Sequence, residues 1–257
     1  EEYYNFSLYG NGVIRFGVKV PSGNWGLIDS NSGLNDGNWH YITATRNASS
    51  GSFNLYVDQN LVTNEYQGND FSELTGQITT SYDFLIGFLY QGHHAPFDGQ
   101  IDELSIWDEI LTESEIQTYM SSLPTGNEDG LIGYWNFNEG SGTTLTDQTS
   151  NGNDGTIYGA TWSTDVPQPT NTYSLSFDGT DDYVDLANKP ITGVQNQFSI
   201  LSYFKTNSLS INQGIYFHGG GYKDVGLRID QFGSTYTLHF FILTSTQSQG
   251  HTYALID

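Results

Sequence analysis

The chain has 257 residues and is strongly acidic: 29 Asp and Glu stand against 7 Lys and Arg, a formal net charge of −22. Because so few cations cannot cover a phosphate backbone, this charge excludes nucleic acid as a partner. The absence of Cys excludes disulfides and thiolate metal sites. The apolar runs are far shorter than the ~18–20 residues of a membrane helix, which argues against membrane insertion.

Most of the predicted elements are short β-strands. They alternate apolar and polar residues, are rich in β-branched and aromatic side chains, and are bounded by Gly, Asn, Asp or Ser. Strands spaced in this way by turn residues are typical of an all-β sandwich or jelly roll. The predicted strands are 13–20, 40–46, 53–58, 84–88, 183–186, 198–204 and 236–243.

A single stretch has the pattern of a helix. Thr112 and Glu115 have the spacing of a capping box, and apolar residues follow at helical intervals. Pro124 and Gly126 are expected to end the helix. The sequence therefore predicts one short helix near 112–122.

The two ends of the chain resemble each other. Residues 24–29 (NWGLID) match residues 252–257 (TYALID) in type and order. Two strand-like runs around a glycine turn precede each match, at 6–20 and at 227–244. This repeat indicates that both ends correspond to the same part of a larger unit.

Several motifs carry a family resemblance. The sequence 97–108 (FDGQIDELSIWD), followed by 111–116 (LTESEI), resembles the closing strand and short helix of laminin-G-like, pentraxin-like domains. The sequence 133–142 (GYWNFNEGSG) is similar to their opening strand. Further similar motifs lie at 34–40, 147–162 and 175–184. The resemblance implies an all-β, concanavalin A-like antiparallel β-sandwich (jelly roll).

The order of these motifs is unusual, because the closing motif precedes the opening motif. We therefore predict that residues 1–128 are the C-terminal part of one laminin-G-like repeat and that residues 129–257 are the N-terminal part of the next. Either the chain is a segment of a longer repeat protein, or neighbouring chains complete one another's sandwiches. Both alternatives predict neighbouring copies or adjoining repeats of the same protein as partners.

Catalysis is not expected, although the jelly roll also hosts glycoside hydrolases. Those enzymes have a Glu two residues before an Asp, followed by a further Glu, and retaining glycosidases need two carboxylates close together. The corresponding sequence here is 100–103 (QIDE), and Gln100 cannot act as a nucleophile. Asp102 and Glu103 are adjacent, so alternation predicts that they point to opposite faces of the strand.

Calcium is the predicted cofactor. Hard cations prefer clustered carboxylate and amide oxygens, and the resemblance implies that the closing strand lies beside the Gly-rich stretch after the opening strand. A turn is the alternative for 151–155 (NGNDG), since Asn and Asp bond to neighbouring backbone groups and tolerate left-handed conformations. The candidate ligands for one structural Ca²⁺ are Asp102, Glu139, Asp147, Asn151, Asn153 and Asp154.

The pentraxin resemblance also implies a ligand-binding edge, but its acidic calcium loop has no counterpart here. Residues 88–96 (FLYQGHHAP) contain no carboxylate. His93 and His94 could bind a transition metal or stack on a sugar, with simple solvent exposure as the alternative. The candidate ligand-binding residues are Trp25, Tyr90, His93, His94, Tyr222 and Asp224.

These observations predict a non-catalytic segment of a large secreted or surface protein, acting outside the cell in adhesion or glycan binding. One alternative is the structural subunit of an extracellular fibre, assembled head to tail by half-domains that complement one another. Another alternative is an accessory carbohydrate-binding module of a secreted glycoside hydrolase.

Overall fold

The computed structural model describes residues 3–63, 66–76, 83–89, 95–186, 197–210, 213–218, 225–232 and 235–242. In these residues the secondary structure is almost entirely antiparallel β, with one α-helix and one short 3₁₀-helix at Phe71–Glu73. The all-β prediction is therefore confirmed. The strands are β1 (Tyr3–Leu8), β2 (Ile14–Lys19), β3 (Trp25–Asp29), β4 (Trp39–Asn47), β5 (Phe53–Val57), β6 (Asn60–Leu61), β7 (Tyr66–Gly68), β8 (Phe84–Ile86), β9 (Phe88–Leu89), β10 (Ala95–Pro96), β11 (Asp98–Trp107), β12 (Leu131–Trp135), β13 (Thr144–Leu145), β14 (Gly155–Tyr158), β15 (Thr161–Ser163), β16 (Ser174–Asp178), β17 (Tyr183–Leu186), β18 (Gln197–Lys205), β19 (Gln213–His218), β20 (Val225–Phe232) and β21 (Thr235–Ile242).

Two large sheets contain most of these strands. The nine-stranded sheet has the order β13-β14-β17-β8-β19-β1-β2-β3-β7. The eight-stranded sheet has the order β15-β16-β11-β18-β4-β5-β6, and β12 pairs with β11 off this path. Two two-stranded sheets, β9-β10 and β20-β21, lie outside them. This is the architecture of a concanavalin A-like β-sandwich.

The main core consists of the alternate residues of both sheets that face each other. Phe6 and Phe16 pair across β1 and β2 with ring centroids 5.0 Å apart, and Phe53 of the other sheet meets Phe16 edge to face at 5.6 Å. All three are at most 1% exposed. Period-two alternation thus places one apolar face of each sheet in the interior.

The helix, α1 (Glu113–Ser121), lies on the outer face of the eight-stranded sheet. Thr112 and Glu115 form the predicted capping box: Glu115 N–H donates to Thr112 Oγ1, and Thr112 N–H donates to Glu115 Oε2. Trp107 of β11 packs on Tyr119 with ring centroids 4.6 Å apart, and the buried Ile116 joins the same cluster. The helix therefore covers part of a sheet face that would otherwise be exposed.

Strands from both predicted segments share both sheets. β11 of segment 1–128 pairs with β12, β16 and β18 of segment 129–257. In the other sheet, β8 lies between β17 and β19. If the two segments were independent half-sandwiches, β11 and β8 would lack these neighbours. Here strands of the same chain pair with them. The boundary at 128/129 lies between α1 and β12, and the origin of the two segments in different repeats stays a prediction.

The predicted strand 84–88 is interrupted. Gly87 has a φ of 81° and separates β8 from β9. A Cβ on Gly87 would lie 2.3 Å from Cε1 of Phe177, so this break in the strand requires glycine for two reasons, backbone conformation and close packing. The other predicted strands and the helix are confirmed to within a few residues.

Candidate ligand-binding and metal sites

Most of the predicted ligand-binding residues lie outside the described residues. These are Tyr90, His93, His94, Tyr222 and Asp224. Trp25 is described: it begins β3 opposite Lys19 of β2, and its backbone N–H donates to Asn69 Oδ1 at 3.1 Å. Its side chain is half-buried.

A pair of stacked tyrosines lies near the other end of the nine-stranded sheet. Tyr158 of β14 and Tyr183 of β17 are direct cross-strand partners. Their ring centroids are 4.6 Å apart and the rings are inclined by 17°. Tyr158 is 44% exposed, whereas Tyr183 is half-buried and also meets the ring of Phe88 at 6.0 Å. Tyr183 thus stacks on one face of the exposed Tyr158 ring, and we call this pair the Tyr158–Tyr183 platform.

The platform was missed by the sequence reasoning, although alternation contains a signal for it. In β14, Gly155 and Ile157 are buried whereas Thr156 and Tyr158 are exposed. The same period of two places Tyr183 outward, because Val184 faces the core. Trp25 lies six strands away from β14 in the sheet order, or about 29 Å at the usual spacing between strands, so the two aromatic positions do not form one site.

The predicted calcium loop is held together by its own hydrogen bonds. Asp147 Oδ1 accepts from the N–H groups of Tyr134 (3.1 Å) and Thr149 (2.9 Å). Asp147 Oδ2 accepts from Thr149 Oγ1 (2.9 Å) and from Asn153 N–H (2.9 Å). Four donors around a buried carboxylate leave little room for a cation, which would have to displace them.

The other candidate ligands of this loop also have structural partners. Asp154 Oδ1 accepts from Asp147 N–H, and the side-chain amides of Asn151 and Asn153 both donate to the carbonyl of Ile132. Glu139 Oε1 accepts from Thr146 N–H at 2.9 Å, while its buried Oε2 has no hydrogen-bond partner. This geometry fits the turn alternative better than a calcium ion. The Ca²⁺ prediction is untested by it and stays a prediction.

Asp102, the remaining candidate calcium ligand, forms a buried pair with Glu103 on β11. Ile101 and Leu104 are both in the core between the sheets, so the two residues between them lie together on the opposite face. The backbone of Glu103 has a φ of 57°, and the β11–β18 register shifts between Asp102 and Ser105. The expectation that the two carboxyl groups point to opposite faces is therefore wrong, because a β-bulge interrupts the alternation.

Both carboxyl groups of the pair are enclosed by polar partners. Tyr134 Oη donates to Glu103 Oε2 at 2.5 Å, and Asn171 Nδ2 donates to Asp102 Oδ2 at 2.8 Å. Asp102 is 0% exposed and Glu103 is 4% exposed. Burial, together with the charge of Glu103, raises the pKa of Asp102 to about 9, and burial raises the pKa of Glu103 to about 7. At neutral pH the pair therefore holds at least one proton.

One other acidic group was not proposed from the sequence as a metal site. Among the described residues, Asp178, Asp181 and Asp182 have ligand atoms within 4.8 Å of one another. Asp182 Oδ2 accepts from Asp178 N–H at 2.8 Å, and Asp178 Oδ1 accepts from Thr180 N–H at 2.8 Å. These bonds account for the turn between β16 and β17.

The fold and these motifs define a concanavalin A-like sandwich, and comparison with known families agrees. Residues 1–117 match the family model of a laminin-G-like domain, described as the concanavalin A-like lectin/glucanases superfamily. The match confirms the resemblance for the motifs at 34–40 and 97–116, which lie within these residues. Neither the curated proteins nor the solved structures contain a match to the chain. The described residues include no helix long and apolar enough to span a membrane.

Proposed function

We propose that this chain is a non-catalytic module that binds glycans in an extracellular protein and thereby serves in adhesion. The concanavalin A-like lectin/glucanase family of residues 1–117 fits a carbohydrate-binding or adhesion role. The observation that carries the proposal for this chain is the Tyr158–Tyr183 platform. It offers an exposed aromatic ring that is held from behind by a second ring.

The chemistry of the platform suits a sugar ring. Tyr158 presents an apolar face with a polar hydroxyl, the combination that makes tyrosine common at binding surfaces. A second cross-strand pair, Thr156 and Asp185, lies two residues along each strand from the tyrosines and adds a hydroxyl and a carboxylate group. Because both tyrosines are fixed on paired strands, little conformational entropy is lost when a ligand binds.

The absence of catalysis is supported by the burial of the only carboxylates that correspond to a glycosidase motif. Asp102 and Glu103 lie beneath surrounding side chains, where a polysaccharide would not reach them. Gln100, at the position of a required Glu, donates from Nε2 to Ser163 Oγ at 2.8 Å. These three residues have structural partners instead of the open arrangement that hydrolysis requires.

Binding of soluble oligosaccharides to the chain, followed by calorimetry and by NMR chemical shifts, tests the proposal. A panel that includes β-glucan and other neutral oligosaccharides is the probe. We expect Tyr158→Ala to weaken binding at least about tenfold, which corresponds to 1.4 kcal/mol, and Tyr158→Phe to retain most of it. Phe71→Ala is the matched control, because this ring is 38% exposed but lies elsewhere. Equal binding by Tyr158→Ala and the parent chain would place any glycan site elsewhere.

The location and the partners of the protein are part of the same proposal. A glycan-binding role favours a secreted or cell-surface protein in which adjoining repeats or neighbouring copies are the partners. A fibre subunit would instead form regular polymers without any glycan. An accessory module would be encoded next to a catalytic domain, and purified chain would bind the substrate of that domain.

A further inference from the structure

The position beside β19 in the nine-stranded sheet is filled by a strand from the far end of the chain. β19 lies between β8 and β1, and the β1–β19 register pairs Tyr4 with His218, Asn5 with Phe217 and Phe6 with Tyr216. β1 is in turn hairpin partner to β2. The continuity of this sheet therefore depends on a pairing between strands that lie far apart in the sequence.

The chain contains a second hairpin with the same pattern. In β1–β2 the apolar cross-strand pairs are Tyr4 with Val18, Phe6 with Phe16 and Leu8 with Ile14. In β20–β21 the pairs at alternate positions are Val225 with Ile242, Leu227 with Phe240 and Ile229 with Leu238. In each hairpin, three alternate cross-strand positions are thus occupied by pairs of apolar residues. The two hairpins precede the two copies of the repeated sequence, 24–29 and 252–257.

Chain connectivity favours β20 as the neighbour of β19. Residues 219–224 link the end of β19 to the start of β20, a length within the usual range for connections between elements of a compact domain. Consecutive strands in a sequence are usually neighbours in a sheet. Yet β1 holds that position, and β20–β21 forms a separate two-stranded sheet.

We propose that the edge of β19 is a docking surface for β20–β21 as well as for β1–β2, so that the two hairpins exchange at one position. Matching of the apolar pairs places β20 where β1 lies and β21 where β2 lies, beside β3. Under this match Gly226 takes the place of Asn5 opposite Phe217.

The physical basis of the exchange is competition between the two hairpins for the same edge of β19. Among the described strands, two hairpins of similar pattern have one β19 between them, so only one hairpin at a time can pair with that edge. A lone two-stranded hairpin is marginally stable in water, and an unpaired strand edge is a template for pairing. The short link 219–224 gives β20–β21 a high effective concentration near β19 of its own chain.

Cysteine cross-linking measures which hairpin is docked. The natural sequence has no Cys, so the full chain can carry one introduced pair at a time, and directly opposed residues have a spacing compatible with a disulfide. Asn5→Cys with Phe217→Cys traps β1 beside β19, and Phe217→Cys with Gly226→Cys traps β20 there. Phe217→Cys alone is the control for adventitious cross-linking between chains.

Pairs of Asp substitutions in one hairpin should favour docking of the other hairpin on β19. Phe6→Asp with Phe16→Asp disables β1–β2, and Leu227→Asp with Phe240→Asp disables β20–β21. We expect each of these variants to keep a cooperative melting transition, because the other hairpin takes the position, and the combination of all four substitutions to abolish it. In the first variant the 217–226 disulfide should replace the 5–217 disulfide.

The outcomes are distinguishable. A 217–226 disulfide within one chain supports docking in cis, and the same disulfide between two chains, with a dimer in gel filtration, supports docking on a second copy. The proposal is overturned if Phe6→Asp with Phe16→Asp unfolds the chain as fully as the four substitutions together and the 217–226 disulfide does not form.

Discussion

Asp102 and Glu103 are consecutive residues of β11, and both of their carboxyl groups are buried on the same face of the sheet. Burial and mutual repulsion raise the pKa of Asp102 to about 9, and burial raises that of Glu103 to about 7. The ordinary values are 3.8 and 4.5. The folded chain therefore keeps protons that the unfolded chain releases, which links stability to pH.

We expect the pair to make the protein less stable as the pH rises. Because the folded-state pKa values are raised, the stability that the protonated pair contributes is fully present below about pH 4. This stability is lost as the pH rises through about 7 and 9. The free energy of unfolding should fall with a slope of up to about 1.4 kcal/mol per pH unit for each proton. Urea unfolding at pH 5, 7 and 9 measures this slope.

Asp102→Asn should flatten the dependence, because the amide cannot ionise. The variant is expected to be more stable than the parent chain at pH 9 relative to pH 5. Asp181→Asn, which removes an exposed carboxylate, is the control and should leave the slope unchanged. Equal slopes for Asp102→Asn and the parent chain would contradict the assignment of the pH dependence to this pair.

The position of this pair could not be predicted from the alternation of apolar and polar residues. Alternation predicts most strands correctly, because a continuous strand with one buried face must repeat every second residue. At Glu103 the backbone adopts a positive φ, which places Ile101 and Leu104 on the same side. The bulge shows in the register between β11 and β18, two strands far apart in the sequence, and the local alternation pattern does not contain that register.

The candidate site was less predictable than the fold for a similar reason. Tyr158 and Tyr183 are 25 residues apart in the sequence and become neighbours only through the β14–β17 register. The family resemblance implies binding residues in loops, and two of these, Tyr90 and Asp224, lie outside the described residues. Exposure of an aromatic ring depends on which strands surround it, information that a single strand pattern lacks.

Helix α1 should be sensitive to its N-cap. Thr112 Oγ1 accepts from Glu115 N–H, and Thr112→Ala removes this bond and half of the capping box. The expected loss is about 1 kcal/mol of unfolding free energy. Ser114→Ala, an exposed change within the first turn, is the matched control and should be nearly neutral. Chemical denaturation with both variants measures the difference, and an equal effect would mean that the cap adds nothing to packing on the sheet.

We expect the pKa of the His40 imidazole to lie above its ordinary value. Its Nδ1 lies 2.9 Å from Asp58 Oδ2 and its Nε2 lies 3.2 Å from Asp36 Oδ1. The hydrogen bond to Asp58 is the largest cause of the raised pKa. Stability from this contact is present below pH 6.5 and is lost as the pH rises through the folded pKa. Because both carboxylates are about two-fifths exposed, the contribution should be at most about 1 kcal/mol and should weaken with salt.

An NMR titration of the His40 imidazole, assigned with His40→Gln, checks this expectation. Asp58→Asn should lower the His40 pKa while the amide oxygen can still accept from Tyr41 N–H, which now donates to Asp58 Oδ1 at 2.9 Å. A His40 pKa at or below 6.5 in the parent chain would show that the two contacts do not persist in solution.

Asp147 should stabilise the loop after β12 with or without calcium. Asp147→Asn turns one acceptor oxygen into an NH₂ group that faces two donors, with an expected cost of about 1–3 kcal/mol. Asp154→Asn is the matched control, because an amide oxygen can still accept from Asp147 N–H. If the hydrogen bonds alone hold the loop, excess chelator should leave the melting temperature of the parent chain unchanged. If the predicted Ca²⁺ is present, chelation should lower that temperature, added CaCl₂ should restore it, and Asp154→Asn should cost as much as Asp147→Asn.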